Sequence, residues 1–124
     1  MFENFKLMGA VAGFLKNRDQ ITAAGDRIQK RLDGMRLTGR SEGDLVQVTM
    51  TGKMDVESVT ISPVLASGMA RGEDDRRLGE HLIAEAVNDA LKKAQAAAIA
   101  VIDDEGDALG LPGLGEQLKQ ILPR

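Results

Sequence analysis

The chain has 124 residues, enough for one domain and hardly for two. Aromatic side chains make up only 2% of it (Phe2, Phe5 and Phe14), so one protomer has little large apolar surface to bury and association is favoured to complete a core. Cysteine is absent, which excludes disulfide and thiolate chemistry and suits a reducing cytoplasm. The net charge of −3 conceals an asymmetry: residues 1–40 hold eight basic groups against four acids, a net of +4, leaving −7 on the other 84 residues. Such a split fits a basic functional face on an otherwise acidic protein.

In chain order, Leu7 to Leu15 has the apolar character of a signal-peptide core. Glu3 occupies the would-be basic region, however, and charged Lys16, Arg18 and Asp19 follow at once. The stretch is also too short to span a membrane, so it reads as a buried or partner-facing helix segment. Apolar or small positions at Met8, Val11, Leu15, Ile21, Gly25, Ile28, Leu32 and Met35 alternate mostly by three and four. That pattern predicts a first helix from about residue 3 to about residue 32, with Asp33-Gly34 as its stop.

The period then changes. Met35 to Arg40 reads as a strand, and Ser41 to Asp44 as its connection. In Leu45 to Thr51, Val46, Val48 and Met50 alternate with Gln47, Thr49 and Thr51, the signature of a half-buried strand. Gly52-Lys53 reads as a tight turn into a third strand, Met54 to Ser62, whose parity slips and predicts a bulge near Glu57-Ser58. Pro63 ends it, and Ser67 to Gly72 reads as a loop. Glu73-Asp74-Asp75 places acid at the start of a second helix, whose apolar stripe runs from Leu78 to Ile102. The acidic run Asp103 to Asp107 is expected to end that helix. Gly110 to Gly115 reads as a connector, with a short helix over Glu116 to Leu122. The whole is an α+β protomer: long helix, three-stranded antiparallel meander, long helix, short tail. Residues 1–124 form a single domain, with 106–124 as a flexible C-terminal tail.

Several short patterns fail on context. Gly39-Arg40-Ser41-Glu42-Gly43 matches the nucleophile-elbow expression, but an elbow needs a helix after the serine and here a strand follows. His81, with Glu85 one turn on, offers two metal ligands, too few for a site. Gly106 stands fourth from Asp103, whereas a calcium loop requires glycine sixth. The glycine-rich run from Gly110 lacks the lysine of a phosphate loop. No nucleophile or acid–base constellation survives, so neither an enzyme nor a cofactor is expected. Arg27, Lys30 and Arg31 are the informative group: their spacing puts them on one helical flank, two to three turns beyond Lys16 and Arg18. Such a row can follow a phosphate backbone.

At this point the chain resembles the YbaB/EbfC family of bacterial nucleoid-associated proteins. The resemblance rests on Thr38 to Gly52, on Val59-Thr60-Ile61-Ser62-Pro63, and on Leu82 to Lys93 with its Asn88-Asp89-Ala90 run. Leu111-Pro112-Gly113-Leu114 is similar to the family's tail. Three departures stand out: Ser62 replaces an aspartate, Ala10 to Leu15 replace a Met- and Gln-rich stretch, and Gln47 stands where many relatives have lysine. The resemblance implies a cytoplasmic, nucleoid-located homodimer that binds double-stranded DNA with little or modest sequence preference. Carried to this chain, the implied DNA contacts are Lys16, Arg18, Arg27, Lys30 and Arg31 on the first helix, and Lys92 and Lys93 on the second. Arg36 and Arg40 rank below them because they fall on the hairpin. Val46, Val48, Met50, Leu82, Ala86 and Val87 are the expected core, part of it across the dimer interface. The alternative is a dimeric adaptor that grips a protein partner through its Val11 to Leu15 arm. No membrane role is expected.

Overall fold

The computed structural model describes residues 18–121. The predicted start of the first helix near residue 3, Lys16 and the Val11 to Leu15 arm lie outside the described residues. Helix α1, Arg18–Gly34, has Ala24 as its one buried residue, with Ile21, Ile28 and Leu32 half-buried on the same side. It leads into β1 (Arg36–Arg40), a short 3₁₀ turn (Glu42–Asp44), β2 (Val46–Thr51) and β3 (Val56–Ile61). The three strands form an antiparallel sheet in the order β1-β2-β3, with Arg36 opposite Thr51 and Arg40 opposite Gln47.

The bulge is where the parity slip puts it. Thr49 pairs with Ser58 and Met50 with Val56, so Glu57 is the extra residue. Met54 is not a strand residue, which corrects the predicted start of the third strand. Thr51 N–H donates to the Asp55 carbonyl at 2.9 Å, closing a loop over Gly52, Lys53 and Met54. Met54 takes φ 70°, the left-handed residue that such three-residue hairpin loops require.

Ser67 to Gly72 is also corrected. Pro63–Met69 forms a helix, α2. Proline at its first turn is pre-set for helical φ, and Leu65 is carried into the core with Met69 packed beside it. The dominant element is α3, Glu73–Ala108, 36 residues and roughly 54 Å long. It lies across β1 and β2. Its buried positions Leu82, Ala86, Ala90, Ala94 and Ala98 recur every four residues, and the small alanines let a strand approach closely. Gly39 on β1 uses that room: a Cβ there would stand 2.7 Å from the Ala90 Cα.

The acidic run Asp103 to Asp107 does close the helix as expected: α3 ends at Ala108, one residue past it. Its last turns are held by Asp103, Asp104 and Glu105, each of which has a partner outside the helix. Gly110, at φ 77°, follows the helix end, and Leu111 N–H donates to the Gly106 carbonyl at 2.8 Å. Helix α4, Leu114–Ile121, packs back on α3, its Gly115 N–H donating to Asp103 Oδ1 at 2.9 Å.

Within one protomer Val46, Val48, Met50, Leu82 and Ala86 are buried and Val87 is half-buried against them. Val59 stands opposite Val48 and Val56 opposite Met50, so both share the α3 side of the sheet. α3 does not reach that far, and Val56 and Val59 remain 49% and 45% exposed. Val64 on α2 and Leu78 on α3 are exposed as well.

Candidate nucleic-acid interface

The basic flank of α1 does not stand alone. Arg27 Nε donates to Glu105 Oε2 at 3.0 Å, and Arg31 Nη1 donates to Asp104 Oδ2 at 2.8 Å and to Glu105 Oε1 at 3.3 Å. The Asp104 bond comes first among the influences that raise the Arg31 pKa above its ordinary value, with burial opposing it. Both arginine side chains keep about half their surface in solvent, at 51% and 41% exposure. Lys30, between them on the helix, is exposed and has no ion pair among the described residues. Arg18 is exposed at the start of α1, also without an ion pair among the described residues.

The lysines of α3 form a second group. Lys93 Nζ donates to the Thr38 carbonyl at 2.8 Å and pairs with Asp89 Oδ2 at 3.2 Å. Asp89 in turn accepts the Arg40 backbone N–H at 2.9 Å. That bond, followed by Lys93, holds the Asp89 carboxyl below its ordinary range. One turn earlier, Glu85 Oε1 accepts the Glu42 N–H at 2.7 Å. These two carboxylates therefore fasten the β1–β2 connection to α3. Lys92 is exposed and lines an open cleft of about 530 Å³ with Arg40, His81, Glu85, Asn88 and Asp89.

The structure does not bring the two groups together. Thirteen residues of helix separate Lys92 from Glu105, roughly 20 Å along the α3 axis. On the hairpin, Arg36 pairs with Glu57 at the bulge, and Arg40 reaches Asp44 at 3.7 Å. Ser41 is buried, and its Oγ accepts the Val46 N–H at 2.9 Å, a turn-forming role. His81 stands without metal-ligating company: no group of three or more His, Asp or Glu that could hold a metal occurs among the described residues.

Sequence reasoning missed Asp104, Glu105, Glu85 and Asp89 as organising residues. For Asp89 the Asn88-Asp89 run was a usable signal. For Glu105 nothing local was, since its partners lie 74 and 78 positions away.

This architecture, with its pairing of a long helix to a short meander, agrees with comparison to known proteins. The model of the YbaB/EbfC DNA-binding family matches residues 8–104. The chain belongs to that family. A nucleoid-associated protein of Pseudomonas fluorescens (strain Pf0-1) is 36% identical over 106 residues, covering 86% of this chain and 93% of the relative. Among solved structures, an uncharacterized Helicobacter pylori protein superposes with a TM-score of 0.52 at 18% identity, covering 64% of this chain and 86% of that one. The latter shares the fold alone. In this family member the matched span ends at Asp104, so Glu105 and α4 fall beyond it. No helix among the described residues is long and apolar enough to cross a membrane.

Proposed function

We propose that this protein binds double-stranded DNA without catalysis, as a homodimer in the nucleoid, contributing to nucleoid organisation or gene regulation. The observation that carries the reading is the cationic flank of α1: Arg27, Lys30 and Arg31 lie on one side of one helix and all reach solvent, in a family member of net charge −3. Phosphate contacts of this kind carry no base information, so sequence preference is slight. Affinity then rests on counterion release and falls steeply with salt.

The dimer half of the proposal is supported by the sheet. Val56 and Val59 extend the apolar face beyond the reach of α3, and Val64 and Leu78 are exposed as well. A second copy of the chain covering them would supply the core that so few aromatics cannot. Two α1 helices would then be carried on one particle.

Fluorescence anisotropy with a labelled mixed-sequence duplex across a salt series tests the DNA reading. Each phosphate neutralised contributes about −0.9 to the log–log slope, so a slope of several units is expected. The triple variant R27Q/K30Q/R31Q should lose most of that affinity; glutamine is preferred to glutamate because a new carboxylate would face Glu105. Unchanged affinity in the variant would place the contacts elsewhere. For the dimer, V59E should shift the protein to monomer by sedimentation, and a variant that remains dimeric would remove β3 from the interface.

A further inference from the structure

Glu105 is a charged residue on the inward side of α3, its side chain only 11% exposed. A carboxylate so covered must be paired, and Arg27 and Arg31 pair it, one at each oxygen. Asp104 beside it is 68% exposed and takes a second bond from Arg31. Guanidinium groups bind carboxylate and phosphate through the same planar fork, so these two acids occupy the kind of contact that a DNA phosphate would make. Elsewhere along the described α1, Ala24 is the one fully buried residue.

We infer that Asp104 and Glu105 are an intramolecular competitor for DNA phosphate at Arg27 and Arg31, an acidic latch that lowers DNA affinity. The inference rests on the DNA-binding reading above. Binding then requires a phosphate either to displace the carboxylates or to share the guanidiniums with them. In the free protein the two arginines are already paired with carboxylates, so each adds less than a full contact to the salt dependence. Lys30, without an ion pair among the described residues, adds its charge undiminished.

The test compares full-length D104N/E105Q with D74N/D75N in the same anisotropy salt series. Asp74 and Asp75 are exposed acids at the start of α3, roughly 45 Å from the latch, and their removal changes net charge equally. The latch variant should bind several-fold tighter than this control, with a slope steeper by up to about 1.8 as two phosphate contacts are completed. D104N alone, a change at an exposed side chain, should move affinity the same way by less; if E105Q impairs folding, D104N against D74N decides. Adding R27Q/R31Q to the latch variant should erase the gain. A folded latch variant that binds no better than its control overturns the latch while leaving DNA binding intact. Failure of the wild-type protein and every variant to bind duplex even at low salt overturns the DNA reading itself, and the latch with it.

Discussion

Replacing Gly39 by alanine sets a methyl group against the backbone of α3. The new Cβ would lie 2.7 Å from the Ala90 Cα and closer still to the Ala86 carbonyl oxygen and the Ala90 nitrogen. None of these is the end of a flexible side chain, so β1 and α3 must move apart. Overpacking of this kind costs about 1–3 kcal/mol. Separation also strains the bonds that cross the same seam: Arg40 N–H to Asp89, Glu42 N–H to Glu85, and Lys93 to the Thr38 carbonyl. Losing one of these charge-assisted bonds adds about 1.5–3 kcal/mol. A total of roughly 2.5–6 kcal/mol follows, a large part of the ~5–15 kcal/mol that holds a domain of this size. The protein has no Trp or Tyr, so urea unfolding is followed by far-UV circular dichroism, at one fixed protein concentration because association stabilises. A loss under ~1 kcal/mol would refute the reasoning, since it would mean that the strand–helix spacing has slack.

Gly25 is the opposite case. A Cβ there meets nothing within 4 Å, so G25A should stabilise α1 by about 0.5–1 kcal/mol in the same urea assay. Met54 holds a left-handed φ of 70° that costs a side chain roughly 1 kcal/mol, and M54G should recover much of it as a higher urea midpoint. Asp89 has a folded pKa below its ordinary 3.8, so its contribution to stability is complete above that value and is lost as pH falls through the folded pKa. D89N should therefore lower the urea midpoint at neutral pH, with the gap to wild type closing in acid; a gap independent of pH would show that the carboxylate charge is not what fastens Arg40.

What the chain determined by itself is local. The period-two run at Val46 to Met50, the parity slip at Glu57, the acidic start at Glu73 and the glycine that closes the first helix each encode an element or its end within a few residues. The turn around Ser41 was legible for the same reason: a strand follows it, and the motif match fell on that context alone. The boundaries read wrongly were those decided at a distance. α2 looked like a loop because Ser67 and Gly68 suggest one, yet Leu65 and Met69 gain a core to pack on only once the sheet and α3 exist. The acidic run Asp103 to Asp107 reads as the end of the second helix, and α3 does end one residue past it, but what the sequence does not show is how acids that oppose the dipole of a last helical turn are held there. Arg27, Arg31 and the Gly115 N–H reverse that penalty, and they arrive only through tertiary folding. The same holds for the candidate DNA contacts. Helical spacing put Arg27, Lys30 and Arg31 on one flank, but charge pairing is set by three-dimensional proximity, and only the packing of α1 on α3 left two of them shared with carboxylates and the third without an ion pair among the described residues.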